Sequence, residues 1–155
     1  MFDYKSCSFT GHRIIKNENE IRKKLRETVI YLIENENVKT FINGGAIGFD
    51  MLSAEEILDL KKYYDIELKM ILPCTNQDEK WKNYYRERYR TILKNADEVI
   101  YVCDKYENGC MQRRNRKMVE ESDIVLGYCE RRAGGTYFTM SYAEKLNKKI
   151  INIAK

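Results

Sequence analysis

Residues 39–50 have the sequence KTFINGGAIGFD, in which an apolar run ends at a glycine-rich turn. The aromatic and β-branched residues of the run favour a strand over residues 39–43, and Gly44-Gly45 closes it. The apolar residues of segment 50–64 then follow a helical pattern. These features predict a strand, a tight turn and a helix, which is the repeating unit of an α/β sheet.

The same alternation extends from this stretch to both ends of the chain. Five further strands are predicted, over residues 5–10, 66–72, 98–103, 123–129 and 149–154. Four further helices are predicted, over residues 20–34, 77–94, 111–121 and 136–146. Long helices between strands favour right-handed crossovers and parallel strands. We therefore expect one domain over residues 1–155 with an α/β fold, a Rossmann-like open, mostly parallel sheet with helices on both faces.

The charge balance is only mildly basic. Lys and Arg number 28 against 24 Asp and Glu, which gives a net charge of +4. The isoelectric point near 8.7 lies below the value of about 9 that marks a dedicated nucleic-acid domain. The basic residues nevertheless cluster, in segments 80–90, 113–117 and 131–132. A solvated helix face, a pocket for phosphate or carboxylate, and a polynucleotide track all remain open explanations.

Histidine and cysteine usage excludes several kinds of site. A single histidine, His12, rules out a Cys2His2 finger, a HExxH site and any two-histidine metal centre, so we expect no metal. The cysteines number five and form no CxxC motif, which favours reduced structural thiols and a cytoplasmic location. The first 13 residues lack the apolar core of a signal peptide, and no apolar stretch approaches membrane-spanning length. We expect no membrane partner.

The distinctive residues follow the predicted strands. Ligands of such sheets bind outside the carboxyl ends of the strands, and glycines there let a phosphate approach backbone N–H groups. The junction residues are Thr10, Gly11, His12 and Arg13 after the first strand, Gly44, Gly45, Ala46, Gly48 and Asp50 after the second, Pro73, Gln77 and Trp81 after the third, and Gly134, Gly135 and Thr136 after the fifth. This placement predicts a binding site for a phosphate-bearing ligand.

Several of these residues have a plainer explanation that the sequence leaves open. His12 is either structural or a titratable donor beside Arg13. Asp50 either accepts hydrogen bonds from ribose hydroxyls or caps the second helix. Thr136 either contacts phosphate or caps the last helix. Trp81, one turn into the predicted helix 77–94, is either part of the core or a stacking platform for a base.

Four sets of residues occur together in order: Ser8-Phe9-Thr10-Gly11-His12-Arg13, Gly44-Gly45-Ala46-Ile47-Gly48-Phe49-Asp50, Pro73 with Gln77 and Trp81, and Arg114-Asn115 with Met118, Ser122-Asp123, Gly134-Gly135-Thr136 and Tyr142-Ala143. In these motifs the chain resembles the YpsA-like family of the SLOG superfamily, across residues 8–143. The superfamily also includes the LOG-type phosphoribohydrolases and the DprA DNA-processing proteins. The resemblance implies a Rossmann-like fold whose glycine-rich loops hold a nucleotide or an ADP-ribose-type ligand.

The resemblance also assigns roles to individual positions. Arg114 and Asn115 would reach into the site from the fourth helix, and Gly134-Gly135-Thr136 would hold phosphate. Catalytic forms of the superfamily carry the pattern PGGxGTxxE. Here Ala133 replaces the proline, the spacing from glycine to threonine is shorter, and Thr139 stands in place of the glutamate. The resemblance therefore favours a binding protein over an enzyme.

The leading hypothesis is a protein that senses or sequesters a nucleotide or an NAD-derived signalling molecule, such as a cyclic ADP-ribose-type ligand, with no required cofactor. A nucleotide N-glycosidic hydrolase or transferase is the first alternative, and a DprA-like single-stranded DNA binder the second. A protein adaptor that uses the Tyr/Arg face of the third helix is a further reading. Because SLOG relatives commonly self-associate, the resemblance also implies a homo-oligomer of two or more copies.

Overall fold

A computed structural model describes residues 6–154. The described residues form six strands: β1 (Ser6–Gly11), β2 (Thr40–Asn43), β3 (Glu67–Leu72), β4 (Glu98–Tyr101), β5 (Ile124–Tyr128) and β6 (Lys149–Asn152). The helices of the same region are α1 (Glu18–Glu36), α2 (Phe49–Leu60), α3 (Asn83–Asn95), α4 (Cys110–Glu121) and α5 (Gly134–Lys145). Strands and helices alternate along the chain without exception.

The strands form one parallel sheet in the order β4-β3-β2-β1-β5-β6. The chain builds outward from β1 to β4 and then returns to the other side of β1 at β5. Because right-handed crossovers in opposite directions place their helices on opposite faces, α1, α2 and α3 cover one face and α4 and α5 the other. The helices of each face pack against one another. The predicted Rossmann-like fold is confirmed.

An aromatic cluster holds the α1/α2 face of the sheet. The ring of Phe9 in β1 stacks on Phe41 in β2, with centroids 5.9 Å apart, and Phe49 at the start of α2 stacks on Tyr128 at 6.0 Å. All these side chains are buried. Every residue of β5 is also buried, because helices cover both faces of the sheet centre. The carboxyl ends of β1, β2 and β5 are thereby held rigidly side by side.

The third and the last helix start at residues other than those predicted, and so does the first, which starts at Glu18 and not at residue 20. The third helix begins at Asn83 and not at Gln77, because residues 76–81 form successive tight turns closed by Glu79 N–H to the Asn76 carbonyl and Trp81 N–H to the Asp78 carbonyl. Trp81 therefore lies before α3, and its predicted place one turn into a helix is wrong. The last helix begins at Gly134, two residues earlier than predicted.

None of the helices in residues 6–154 is long and apolar enough to cross a membrane. The five cysteines are all free, and four of them are buried. Within the same residues, no group of three or more His, Cys, Asp or Glu side chains is arranged to hold a metal ion.

Candidate ligand site

The glycine-rich turn after β2 is held by Asn43, the last residue of that strand. Its side-chain oxygen accepts the Gly45 N–H at 2.8 Å. Its Nδ2 donates to the Asp50 carbonyl at 2.8 Å and to the Ser53 hydroxyl at 3.0 Å. Asn43 is fully buried, so this one amide fixes the turn and the first residues of α2 to the end of β2.

Gly44 lies between a buried cation and a buried carboxylate. A Cβ at this position would come within 2.7 Å of Arg114 Nη1 and 3.1 Å of Asp50 Oδ2. The Arg114 side chain reaches Gly44 from α4 and donates Nη1 to its carbonyl at 2.6 Å. Arg114 is 6% exposed and Asp50 7%. A side chain at this position would displace Arg114 from the Gly44 carbonyl, and this close approach explains the glycine directly after the strand.

Burial sets the protonation of this pair. Burial raises the pKa of Asp50 to about 6, against the opposing influence of Arg114 and of the Ala46 N–H, which donates to Oδ2 at 3.2 Å. Burial also lowers the pKa of Arg114, with Asp50 opposing, but a guanidinium stays charged at neutral pH. Asp50 caps no helix by its side chain. The site therefore holds a fixed cation beside a carboxyl group that exchanges its proton near pH 6.

Trp81 and Gln77 are joined to the glycine-rich turn after β2 through Tyr89 of α3. The Trp81 and Tyr89 rings meet edge to face, with centroids 5.0 Å apart, and Gln77 Nε2 donates to the Tyr89 hydroxyl at 3.2 Å. A Cβ on Gly45 would approach Tyr89 to 3.0 Å. Trp81 and Gln77 line a cavity of about 430 Å³. Pro73 is buried and does not line this cavity.

The start of α5 opens into a second cavity. Gly134 and Gly135 are exposed and line a space of about 520 Å³ together with Asn115. No side chain caps the helix at Ala133, so the N–H groups of its first turn have no partner within the helix. Thr136 is the third residue of α5 and does not line the cavity. The partial positive charge of the helix start favours an anion here.

The residues after β1 form a third group that faces β5. His12 Nε2 accepts the Glu130 N–H at 2.8 Å, and the His12 carbonyl accepts the Phe49 N–H at 3.1 Å. Burial, and after it the charge of Arg131, lowers the pKa of His12. The side chain of Arg13 is exposed. This geometry gives His12 a structural hydrogen bond between two strand ends.

Glycines let the β1 segment approach α2 closely. A Cβ on Gly48, whose φ is +95°, would lie 2.3 Å from the Arg13 carbonyl oxygen, and one on Gly11 would lie 2.4 Å from the Phe49 side chain. Thr10 is half-buried in the strand. The glycines of this group therefore serve close packing.

The structure thus gathers most of the predicted residues at one edge of the sheet. One cluster contains Gly44, Gly45, Ala46, Asp50, Arg114 and Asn115. Gln77 and Trp81 reach it through Tyr89, and Gly134 and Gly135 reach it through the cavity shared with Asn115. The residues Thr10, Gly11, His12, Arg13 and Gly48 form the neighbouring group. Pro73 and Thr136 stand apart from both cavities.

Sequence reasoning missed residues that the structure places in the site. Asn43 holds the turn, and the signal for it was an asparagine directly before Gly-Gly, a typical Asx turn. Met111 and Phe138 line the cavity at α5. Phe138 is 67% exposed, and its place near the Gly-Gly helix start was a usable signal. Met111 carried no such signal, because its position depends on how α4 packs.

A family model for YpsA, the YspA SLOG family, matches residues 10–154. The chain belongs to this family. Two relatives agree with the assignment. A UPF0398 protein of Brevibacillus brevis is 33% identical over 129 residues, which cover 81% of this chain and 68% of the relative. A UPF0398 protein of Bacillus cereus is 29% identical over 154 residues, which cover 91% and 83% of the two chains.

Solved structures share the fold of this SLOG family member. DNA processing protein A of Helicobacter pylori superposes with a TM-score of 0.71 at 18% identity, over 96% of this chain and 64% of that one. DprA of Streptococcus pneumoniae gives the same TM-score of 0.71 at 16% identity, over 95% and 49%. The chain therefore spans about half to two thirds of these DprA chains, which show the fold alone.

Proposed function

We propose that this protein binds a nucleotide or an NAD-derived signalling molecule, such as a cyclic ADP-ribose-type ligand, and so senses or sequesters it. One observation carries the proposal: the uncapped start of α5 opens into a cavity of about 520 Å³. Cavities of this size suit small ligands, and uncapped helix starts suit phosphates. SLOG family membership is consistent with a nucleotide at this edge of the sheet.

The cavity offers partners for each part of such a ligand. Its exposed cation is Arg116, which lines the cavity together with Gly134 and Gly135 and is suited to a phosphate. Phe138 and Tyr142 supply aromatic surface for a base. Behind Asn115, Arg114 Nε donates to the Asn115 side-chain oxygen at 2.8 Å, which orients the free amide Nδ2 of Asn115. A small anionic ligand with one aromatic ring satisfies all of these groups.

A polynucleotide fits the charge pattern less well. The Helicobacter pylori structure concerns the single-stranded DNA binding mode of that protein. In this chain several cations of the basic segments already have carboxylate partners: Arg88 pairs with Glu55, Arg113 with Glu107 and Lys117 with Glu121. Strong DNA binding draws on unpaired cations and weakens steeply with salt. Salt-dependent affinity for an oligonucleotide would favour this alternative.

A nucleotide N-glycosidic hydrolase is the second candidate, and Asp50 is the observation that favours it. A buried carboxyl group with a pKa of about 6 beside a fixed guanidinium is suited to general acid–base work. A hydrolase would release the free base from nucleoside monophosphates or NAD. The variant Asp50→Asn should lose this activity. Chromatography of the products after prolonged incubation separates this candidate from simple binding.

Calorimetric titration with NAD, ADP-ribose and cyclic ADP-ribose isomers tests the proposal. The informative variant is Gly135→Asp, because a side chain at Gly135 meets open space and a carboxylate near a helix start keeps the helix stable. We expect its negative charge to weaken binding at least about tenfold, or about 1.4 kcal/mol. The matched control Gly135→Asn, which lacks the charge, keeps most of the affinity. Absence of heat with folded wild-type protein, or equal affinity of the two variants, overturns the proposal.

A further inference from the structure

Two cavities meet at Met111, the second residue of α4. Met111 lines both the cavity of about 520 Å³ at α5 and the cavity of about 430 Å³ beside Trp81. We call them the α5 cavity and the Trp81 cavity. Each lies in the range of about 300–1,000 Å³ that small-molecule sites occupy. One side chain therefore separates two spaces that are each large enough for a ring-bearing group.

The two cavities have three kinds of chemical group in common. The α5 cavity has the aromatic side chain of Phe138, the amide of Gln112 and the cation of Arg116. The Trp81 cavity has the aromatic side chains of Trp81 and Tyr106, the amides of Asn76 and Gln77, and the cation of Lys80, together with the carboxylate of Glu79, which accepts from Asn76 Nδ2. A nucleobase stacks on an aromatic face, its polar edge forms hydrogen bonds with an amide, and a phosphate pairs with a cation. An aromatic face, an amide and a cation thus occur on both sides of Met111.

Met111 contacts the buried side chain of Arg114. Its sulfur contacts Nη2 of the buried Arg114 at 3.7 Å, and Arg114 is itself fixed by the Gly44 carbonyl. The thioether is flexible and polarizable, so it adapts to a ligand chain that passes over it. The same guanidinium that anchors the glycine-rich turn therefore supports the boundary between the cavities.

We infer that the ligand is a dinucleotide-type molecule, with two nucleobases joined through ribose and phosphate groups, one base in each cavity and the linker over Met111. This inference rests on the proposed nucleotide binding and narrows it. A ligand with a single base fills one cavity and leaves the aromatic face of the other exposed. The second base therefore adds a stacking contact that ADP-ribose lacks.

Two probes isolate the second base. P1,P2-diadenosine diphosphate and ADP-ribose share the adenosine diphosphate and the second ribose, and only the first carries a second adenine. We expect diadenosine diphosphate to bind with 1:1 stoichiometry and about tenfold more tightly. Trp81 is the only tryptophan, so its fluorescence reports occupancy of the Trp81 cavity and should be quenched by diadenosine diphosphate.

The variant Phe138→Ala tests the other cavity. Phe138 is 67% exposed, so its truncation leaves the core intact. We expect the variant to lose the advantage of diadenosine diphosphate over ADP-ribose. Tyr63→Ala is the matched control, because Tyr63 is a 71% exposed aromatic residue that lines neither cavity, and it should keep the full advantage.

The outcomes separate this inference from the proposed function. Equal affinities for the two probes, or tight binding of diadenosine diphosphate without a change in Trp81 fluorescence, overturn the two-base inference and leave nucleotide binding intact. Failure of both probes to bind folded protein removes the proposed function as well. An oligo-deoxyadenylate that binds more tightly than diadenosine diphosphate, with strong salt dependence, assigns the surface to a nucleic acid and also overturns the inference.

Discussion

His12 Nε2 accepts a 2.8 Å hydrogen bond from the backbone N–H of Glu130, and this bond joins the end of β1 to the segment after β5. Protonation of Nε2 would remove the acceptor, so the folded protein holds the imidazole neutral. The bond lies beside the point where the strand order reverses, which is where ligands of this fold class bind. His12 is therefore a structural residue at the border of the candidate site.

The first prediction concerns the pKa of His12. We expect it to lie below 6.5, because burial and then the charge of Arg131 lower it. The single histidine makes an NMR titration unambiguous. Arg131→Ala should move the pKa towards 6.5, whereas Arg132→Ala, the adjacent control, should leave it nearly unchanged. A wild-type pKa above 6.5 would contradict the prediction.

The lowered pKa of His12 makes the stability of the folded protein depend on pH. Because the folded pKa is lowered, the contribution of His12 to stability is present above about pH 6.5 and is lost as the pH falls through the folded value. The variant His12→Gln keeps an acceptor oxygen and cannot titrate. Its melting temperature should therefore fall less than that of the wild type between pH 7 and pH 5, as measured by calorimetry.

The second prediction concerns Asn43. The variant Asn43→Ala removes three hydrogen bonds in a fully buried position and leaves the Gly45 N–H without its acceptor. We expect a loss of about 2–4 kcal/mol in the free energy of unfolding. The control is Asn35→Ala, because Asn35 is exposed and its amide makes one bond, to the Tyr31 carbonyl. Denaturant unfolding should show little change in the control, and equal losses in both variants would refute the role of Asn43.

The third prediction compares two glycines. Gly48 has a φ of +95°, and a Cβ there would lie 2.3 Å from the Arg13 carbonyl oxygen, whereas a Cβ on Gly135 would meet open space. Gly48→Ala should therefore cost at least about 2 kcal/mol, from backbone strain and the steric clash together. Gly135→Ala should leave the melting temperature within a few degrees of the wild type. A stable Gly48→Ala variant would show that the turn has another conformation.

The fourth prediction uses the raised pKa of Asp50. Because the folded pKa of about 6 exceeds the unfolded value of about 3.9, the contribution of Asp50 to stability is present below about pH 4 and is lost as the pH rises through 6. Asp50→Asn does not titrate, so its stability relative to the wild type should improve between pH 4 and pH 7, by about 2–3 kcal/mol. A stability difference that stays constant with pH would contradict the raised pKa.

The fold could be predicted from local patterns. Strand runs such as 39–43 and the glycine pairs that follow them depend only on neighbours in the chain, so the parallel α/β architecture was accessible without a structure. The start of α3 was not, because residues 76–81 have a helical pattern of aromatic and charged residues but fold into tight turns. The Tyr106 N–H donates to the Asn76 side-chain oxygen at 3.0 Å, and this contact between distant segments favours the turns over the helix.

The candidate site also has one part that the sequence predicts and another that only the tertiary structure decides. His12 after β1 and Gly44-Gly45 after β2 mark the edge of the sheet, because the carboxyl ends of parallel strands always meet there. The tertiary structure alone shows that Arg114 reaches the carbonyl of Gly44, 70 residues away in the chain, and that Asp50 faces it. Which groups become neighbours depends on the packing of α4 across the sheet, and so does the burial that raises the pKa of Asp50. Spacing along the chain carries information about local conformation, whereas desolvation and charge pairing exist only once distant segments are packed together.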